Sequence, residues 1–213
     1  MRRSSSGRRE LSTAERILDE AERLIQTRGF NGFSYADIAA ALGIQKASLH
    51  HHFATKALLG LAVVDRYRSE FLGALAVIER ETPDAAARLE RYVGLYGGVL
   101  RRRRMCLCGM LAADVATLAK PIRDSLAGYF GENESWLERV LDLGRQAGEV
   151  RFEGSPASMS AFVVGSLEGA MLVARGSGQI QEFERAAERL LALLVAPRPA
   201  AAHATSADVG CVP

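Results

Sequence analysis

Two short helical segments separated by a glycine turn lie within the first sixty residues and constrain the fold more than any other feature. The first has barely two turns, because Ile38 and Leu42 lie one turn apart and Gly43 ends the pattern. The second places Leu49 and Phe53 on one helical face. Helices this short cannot bury much apolar surface alone. They therefore need longer neighbours as a platform.

The sequence predicts a long helix on either side of this pair. Ser12 and Glu15 form a capping box ahead of a first helix predicted over Thr13 to Arg28. Thr55 precedes a fourth helix predicted over Lys56 to about Glu81. We expect a small core of seven apolar side chains between these helices and the short ones. They are Ile17, Leu24, Phe33, Ile38, Leu42, Leu49 and Phe53.

A long helix, two short helices and a further helix in this order form a helix-turn-helix unit. The third helix would expose side chains that are small, polar or basic: Lys46, Ala47, Ser48, His50 and His51. Such side chains suit the DNA major groove, where lysine reaches guanine acceptors, serine either base edge and an alanine methyl the methyl of thymine. A solvated surface helix is the alternative. The four arginines in the first nine residues favour DNA, since basic arms bind phosphates.

The rest of the chain reads as a helical bundle, and the predicted fold class is all-α. Glycine, proline or serine residues separate five further helical patterns. They are Asp84 to Arg102, Leu107 to Ala119, Pro121 to Gly148, Pro156 to Ala174 and Gln179 to Val195. The segment from Pro197 onward is rich in proline and alanine and is predicted to be disordered.

Composition and cysteine usage indicate a cytoplasmic protein. The longest stretch without a charged residue, Gly154 to Leu167, is shorter than the ~20 residues of a spanning helix, and no apolar segment follows the N-terminal arginines. We therefore expect neither membrane insertion nor export. The three cysteines, Cys106, Cys108 and Cys211, do not form a disulfide framework and suit a reducing compartment.

No pattern in the chain predicts an enzyme, a cofactor or a metal. We find no Ser/His/Asp arrangement, ligand cluster or phosphate-binding glycine loop. His50, His51 and His52 are consecutive, and successive residues of a helix point about 100° apart, so they cannot converge on one ion.

The chain resembles the TetR family of bacterial transcriptional regulators over roughly residues 13 to 60. The resemblance is carried by the run GFNGFSYADIA from Gly29 to Ala39 and by LGIQKASLHHHFATK from Leu42 to Lys56. Glycine, phenylalanine and capping positions agree with the family in order and spacing.

The resemblance implies a set of DNA contacts. Ser34, Tyr35 and Lys56 would touch backbone phosphates, and the segment from Gln45 to His51 would enter the major groove. Two positions depart from the family, which usually has tyrosine at His50 and serine or threonine at Gln45. A phosphate contact by His50 would strengthen as the ring gains a proton. His52 is expected to pack near the platform.

The resemblance also implies a variable helical domain that binds a small effector and dimerises through its last two long helices. We thus divide the chain into a disordered basic arm (residues 1–11), a helix-turn-helix domain (12–57), an effector-binding and dimerisation domain (58–196) and a disordered tail (197–213). The dimer helices would be the patterns at 156–174 and 179–195. An intramolecular core is the alternative for their apolar faces.

Aromatic and methionine side chains in the body are candidates for an effector cavity, because they accommodate varied ligands. The candidates are Tyr92, Tyr96, Met110, Trp136 and Phe162, with Leu100 and Val140 nearby. An ordinary hydrophobic core is the alternative.

The run of four arginines from Arg101 to Arg104 stands just before Cys106 and Cys108. If the guanidinium groups lie close, they would lower the pKa of a thiol and make Cys106 a sensor of oxidants or electrophiles. Buried structural cysteines are the alternative.

Together these features predict a homodimeric regulator that binds duplex operator DNA and is released by a small-molecule effector. Thiol sensing through Cys106 on the same scaffold is one alternative. A small helical enzyme or a protein-interaction module is the alternative from another class.

Overall fold

The computed structural model describes residues 11–196, and within them the chain is all-α, as predicted. Two short 3-10 segments, Phe30–Gly32 and Val115–Thr117, interrupt a series of nine α-helices in this part of the chain. The helices are α1 (Thr13–Arg28), α2 (Tyr35–Leu42), α3 (Lys46–His52), α4 (Lys56–Glu81), α5 (Ala85–Arg101), α6 (Leu107–Ala113), α7 (Lys120–Gln146), α8 (Pro156–Ser177) and α9 (Ile180–Leu194). Residues 1–10 of the predicted arm and the whole predicted tail lie outside the described residues.

Local capping determines where the first two helices begin and end. The backbone N–H of Glu15 donates to Ser12 Oγ (3.2 Å), and that of Ser12 donates to Glu15 Oε2 (2.7 Å), which confirms the predicted capping box. Ser34 and Asp37 form a second box at the start of α2. Gly43 ends α2 with a φ of 65°, in the left-handed region that glycine adopts without strain.

Helices α1, α2 and α3, with the turns between them, form a compact unit that we call the head. All seven predicted core side chains take part in its packing. Five of them are buried, and Leu42 and Phe53 are half-buried against the same cluster.

The remaining helices, α4 to α9, form a second unit that we call the body. Helix α4 is the part of the body that follows the head directly in the chain. It packs against α1 of the head and against α7 of the body. The close approach of head and body depends on Gly60, because a Cβ atom there would lie 2.6 Å from Cε2 of the Phe30 ring. One continuous helix therefore contacts both units.

The helix predicted from Leu107 to Ala119 is wrong in its length. The α-helix ends at Ala113 and continues as the 3-10 segment Val115–Thr117. The reason is tertiary: the Asp114 carboxylate accepts a hydrogen bond from the backbone N–H of Phe30 (2.7 Å), and Thr117 Oγ1 accepts one from Asn31 Nδ2 (2.8 Å). This turn fastens the body to the head loop.

Helix α8 lies between α7 and α9 and packs against both. It is the one helix among residues 11–196 that is long and apolar enough to span a membrane by length and composition. It nevertheless carries Glu168 and Arg175 and contributes the buried side chains of Val163, Leu167 and Met171 to the core. A single antiparallel bridge between Val150 and Val195 joins the loop after α7 to the end of α9.

Candidate functional site

Helix α3 is displayed on the outside of the head. Leu49 is 0% exposed and anchors the helix in the head core. The opposite face is open to solvent, as predicted for a recognition helix: Gln45, Lys46, Ala47, His50 and His51 are exposed, and Ser48 is half-buried. The surface is thus free to enter a groove while its inner side is held.

The side chains predicted to bind phosphates flank this helix, but each also has a structural partner. The Tyr35 ring is buried, and its hydroxyl donates to the carbonyl of Phe53 (2.8 Å). Ser34 is exposed at the start of α2, where its hydroxyl and backbone N–H both donate to Asp37 Oδ2 (2.7 Å each). These hydrogen bonds lower the pKa of Asp37, so the carboxylate stays ionised beside the predicted phosphate position.

The Lys56 ammonium group points inward. It donates to the carbonyl oxygens of Phe30 (2.6 Å) and Phe33 (2.5 Å), and it lies over both phenyl rings. Burial lowers the pKa of Lys56, while the carboxylates of Asp114 and Asp37 oppose that shift. Since an ammonium group has three N–H donors, one remains for a phosphate.

The three consecutive histidines of α3 do not share one set of neighbours. The His50 ring lies 4.8 Å from the Tyr35 ring between centroids, and its Nδ1 is 3.2 Å from the carbonyl oxygen of Ala54. A carbonyl only accepts, so Nδ1 carries the hydrogen and Nε2 faces away from this bond. His51 and His52 contact each other with ring centroids 5.4 Å apart. The expectation that His52 packs near the platform is wrong, because α3 ends at this residue and its side chain is exposed.

In the body, two of the candidate effector residues form a closed hydrogen-bond ring with a third residue. Tyr92 donates to Asn133 Oδ1 (2.9 Å), Asn133 Nδ2 donates to the hydroxyl of Tyr96 (3.1 Å), and the two hydroxyls are 3.0 Å apart. Tyr96 must then donate to Tyr92, so the hydrogens of both hydroxyls are used within the ring. Sequence reasoning missed Asn133, although a polar residue on the apolar stripe that holds Tyr129 and Trp136 was a usable signal.

A cavity of about 140 Å³ lies between α4, α5 and α7 beside this ring. Its walls are mainly aromatic and aliphatic, with an acid and an arginine among the lining residues. They are Tyr67, Glu70, Phe71, Leu95, Tyr96, Val99, Arg102, Cys106 and Tyr129.

Of the five side chains predicted to bind an effector, Tyr96 alone lines this cavity. Tyr92 lies behind it, and Trp136 stacks on Tyr92 with centroids 5.6 Å apart. Met110 lies at the boundary with the head, where its sulfur is 3.3 Å from Arg175 Nη1. Phe162 is on the outer face of α8 and is 55% exposed.

Cys106 lies in the cavity wall, with its sulfur 3.9 Å from the hydroxyls of both Tyr67 and Tyr129. Burial raises the pKa of Cys106, and the neighbouring Glu168 carboxylate raises it further; burial also raises the pKa of Cys108. The expected lowering of the thiol pKa by the four arginines is therefore wrong. The physical reason is that both thiols are buried near the Glu168 carboxylate, whereas Arg101, Arg103 and Arg104 line a separate groove and only Arg102 shares the cavity wall with Cys106.

An outward recognition helix, a platform that holds it and a helical body with a cavity lined by aromatic side chains define a helix-turn-helix DNA-binding regulator. Comparison with known proteins identifies the family. Residues 17–63 match the family model for bacterial regulatory proteins of the tetR family, and residues 85–190 match the tetracyclin repressor-like C-terminal domain.

Individual relatives agree with this assignment. Transcriptional regulator AcuR of Cereibacter sphaeroides is 30% identical over 159 residues, which cover 70% of this chain and 69% of AcuR. The transcriptional repressor NemR of Escherichia coli is 23% identical over 194 residues, covering 88% and 96%. The crystal structure of a TetR-family regulator from Agrobacterium tumefaciens superposes with a TM-score of 0.83 and 31% identity, covering 86% and 97%. The chain belongs to the TetR family and is a DNA-binding transcriptional regulator.

Proposed function

We propose that this regulator is a cytoplasmic, homodimeric repressor that leaves its operator when a small effector enters the cavity of the body, and that it catalyses no reaction. The observation that carries the proposal is the outward face of α3, where Lys46 and His50 are exposed and Leu49 behind them is fully buried. Two such heads in one dimer would read two half-sites of a near-palindromic operator.

The dimer interface proposed here is the outer face of α8 together with α9. Large apolar side chains that are more than half exposed lie on these helices: Phe162, Leu172, Val173 and Leu193. Gly165 and Gly169 add open space on the same helix, because a Cβ atom at either position would meet nothing within 4 Å. A second copy of the chain could therefore approach α8 closely. The same face explains why α8 is so apolar along its length.

Substituting a charge into that face tests the dimer. Val173→Glu should give a monomer in sedimentation, because a buried unpaired carboxylate is strongly unfavourable. Leu143→Glu is the matched control, since Leu143 is 53% exposed on α7, outside the proposed interface. Equal sedimentation of both variants and the parent as dimers would contradict the assignment of the interface.

The effector would act through α4, which lines the cavity with Tyr67 and Phe71 and contacts the head near Gly60. The division of the chain between residues 57 and 58 then falls inside this helix, so a shift of α4 moves the head. The cavity suits a ligand of about benzene size, as for other cavities near 150 Å³. The hydroxyls of Tyr67 and Tyr129 have the Cys106 sulfur as a weak partner, which favours an effector with an acceptor oxygen.

Binding to a duplex from the region upstream of the chain's own gene tests the function. We expect salt-sensitive, sequence-specific binding that Lys46→Ala weakens by about 1–3 kcal/mol, whereas Lys120→Ala, which removes a lysine paired with Asp124 on α7, leaves it unchanged. Effector and DNA must weaken each other's binding reciprocally. Equal binding of operator and unrelated duplexes by all three proteins would contradict the proposal.

A further inference from the structure

A groove of about 660 Å³ lies at the boundary between head and body, separate from the aromatic cavity. It is bordered by the end of α1, the turn between α5 and α6, and the junction of α8 and α9. Four arginines line it: Arg101, Arg103, Arg104 and Arg175. No carboxylate is among the lining residues, and Met105 and Ile180 provide an apolar floor. We call this feature the arginine groove.

The four guanidinium groups have no acidic partner within 4.0 Å in the part of the chain that the structure describes. Other arginines of the same chain are paired: Arg66 contacts Asp19 and Glu22, and Arg68 contacts Glu132. Like charges gathered in one concave surface repel each other and concentrate a positive potential. The groove is therefore complementary to an anion.

The backbone at Arg103 supplies an independent observation. Helix α5 ends in a Schellman motif, in which the backbone N–H of Arg104 donates to Val99 (3.2 Å) and that of Arg103 donates to Leu100 (2.7 Å). Arg103 then takes the position that usually holds glycine and has a φ of 57°, the only non-glycine residue among residues 11–196 with a positive φ. A side chain there costs backbone strain that glycine avoids, and such strain is concentrated at functional sites.

We propose that the arginine groove binds a phosphorylated organic anion with at least two negative charges, such as a nucleotide. Guanidinium groups bind phosphate oxygens through paired, charge-assisted hydrogen bonds. The volume lies within the range of small-molecule sites, and the apolar floor offers a surface to the organic part of the ligand. This site goes beyond the effector cavity of the proposed function, because the two share no lining residue.

A ligand in this groove would act on the head directly. Arg175 donates to the carbonyls of Gln26 (3.3 Å) and Thr27 (2.6 Å) at the end of α1, and Arg104 donates to the side chain of Gln26 (3.4 Å). A polyanion competes with these acceptors for the same guanidinium groups. Its binding therefore loosens the connection between α1 and α8 and changes the affinity of the head for DNA.

Arg103→Gly distinguishes an effect on folding from an effect on anion binding, because we expect it to stabilise the fold and to weaken binding. Glycine adopts the left-handed conformation of residue 103 without backbone strain, so the full-length variant should melt about 2 °C or more above the parent. The same change removes one guanidinium, so the dissociation constant for pyrophosphate, measured by calorimetry at low ionic strength, should rise about tenfold. Arg123→Gln is the matched control, since Arg123 is exposed on α7 outside the groove.

Two further measurements test whether the groove prefers an organic phosphate and whether the bound anion changes DNA binding. ATP should protect the parent against heating more than inorganic phosphate does, and pyrophosphate should shift the duplex affinity of the parent but not of Arg103→Gly. The proposal is overturned if the parent shows no saturable pyrophosphate or ATP binding, or if Arg103→Gly and Arg123→Gln weaken it equally. A loss of duplex binding by Arg103→Gly in anion-free buffer, with pyrophosphate affinity unchanged, would instead assign the arginines to the DNA backbone and also overturn it. Dimerisation and operator binding of the parent are measured in separate experiments. The absence of an anion site would therefore not contradict the proposal that the protein is a repressor.

Discussion

The polar side chains of the recognition helix in the head face solvent, whereas those of the hydrogen-bonded ring in the body are buried. On the recognition helix of the head, Lys46 and His50 point outward and a single leucine, Leu49, holds the helix from within. In the body, Tyr92, Tyr96 and Asn133 point inward and satisfy one another in a closed ring. The head thus presents its chemistry to a macromolecule, whereas the body encloses its chemistry around a small space.

This difference makes the two units sensitive to different changes. The outer side chains of α3 are exposed, so their replacement should leave the head folded. In the body, Asn133 is fully buried with its partners, and removing one of them leaves another unsatisfied at a cost of about 1–3 kcal/mol. Substitutions that separate folding from binding should therefore be found on the head more readily than in the body.

The largest effect is expected from Leu49→Ala. A fully buried leucine loses about 2–5 kcal/mol of stability on truncation, so α3 should detach from its platform and duplex binding should be lost. Leu58→Ala, at a position 53% exposed on α4, is the matched control and should bind DNA normally.

The chain has one tryptophan, Trp136, which lies in the body and reports on that unit alone. Urea unfolding of Leu49→Ala followed by circular dichroism should shift further than unfolding followed by Trp136 fluorescence. Coincident shifts of both signals would show that head and body unfold as one unit, which would contradict separate sensitivities of the two.

The second largest effect is expected from Asn133→Leu. The side chain is 0% exposed, and its loss leaves the hydroxyls of Tyr92 and Tyr96 with one partner fewer. We expect the free energy of unfolding to fall by about 1–3 kcal/mol in urea titrations followed by Trp136 fluorescence. Tyr129→Phe removes a hydroxyl whose partner is the weak sulfur acceptor of Cys106 and should cost less. Equal losses in the two variants would contradict a special role for the ring.

The same contrast explains which features could be predicted from the sequence. The helices of the head were predicted closely, because capping boxes, glycine turns and apolar spacing are local signals, and Ser12, Ser34 and Gly43 carry them. The outward face of α3 followed from the same spacing. The family resemblance covers the head, so residue roles could be assigned there.

The features of the body depend on contacts between residues that are far apart in the sequence, so local patterns do not predict them. The end of α6 at Ala113 is set by Asp114, whose partner is the head loop far away in the sequence. The predicted cavity residues shared an aromatic or methionine side chain, but which of them line the space depends on helix rotation: Tyr96 faces it and Phe162 faces out. The predicted lowering of the thiol pKa is wrong because burial and the Glu168 carboxylate, which is far away in the sequence, raise the pKa of Cys106, and three of the four arginines line a separate groove.

A smaller effect is expected from the pH dependence of Glu168. Burial raises its pKa above the ordinary value of 4.5, and its Oε1 has no hydrogen-bond partner among the described residues. The folded state then holds more protons than the unfolded state, so stability falls as the pH rises above about 4.5 and levels off above the raised pKa. Glu168→Gln should lose this fall and gain stability relative to the parent towards neutral pH, as urea unfolding at a series of pH values would measure.

Glu132→Gln is a control of opposite sign. The hydrogen bond from Arg68 lowers the pKa of Glu132, so its contribution is present above 4.5 and is lost as the pH falls through the lowered pKa. This variant should lose stability at neutral pH, by less than about 1 kcal/mol because the pair is partly exposed. If Glu168→Gln follows Glu132→Gln in sign, the Glu168 carboxylate is stabilised in the fold and the account of a costly buried charge is wrong.

The smallest effect is expected on the head, at His50. Its Nδ1 hydrogen is used by the carbonyl of Ala54, so the ring in this tautomer offers a phosphate only the lone pair of Nε2. His50→Tyr supplies a hydroxyl donor at this exposed position and should therefore raise duplex affinity about two- to fivefold in fluorescence anisotropy, a size typical of one hydrogen bond. His51→Tyr is the matched control on the same helix and should leave the affinity unchanged. Equal affinities of the parent and both variants would show that position 50 makes no phosphate contact and would leave α3 bound through its other side chains.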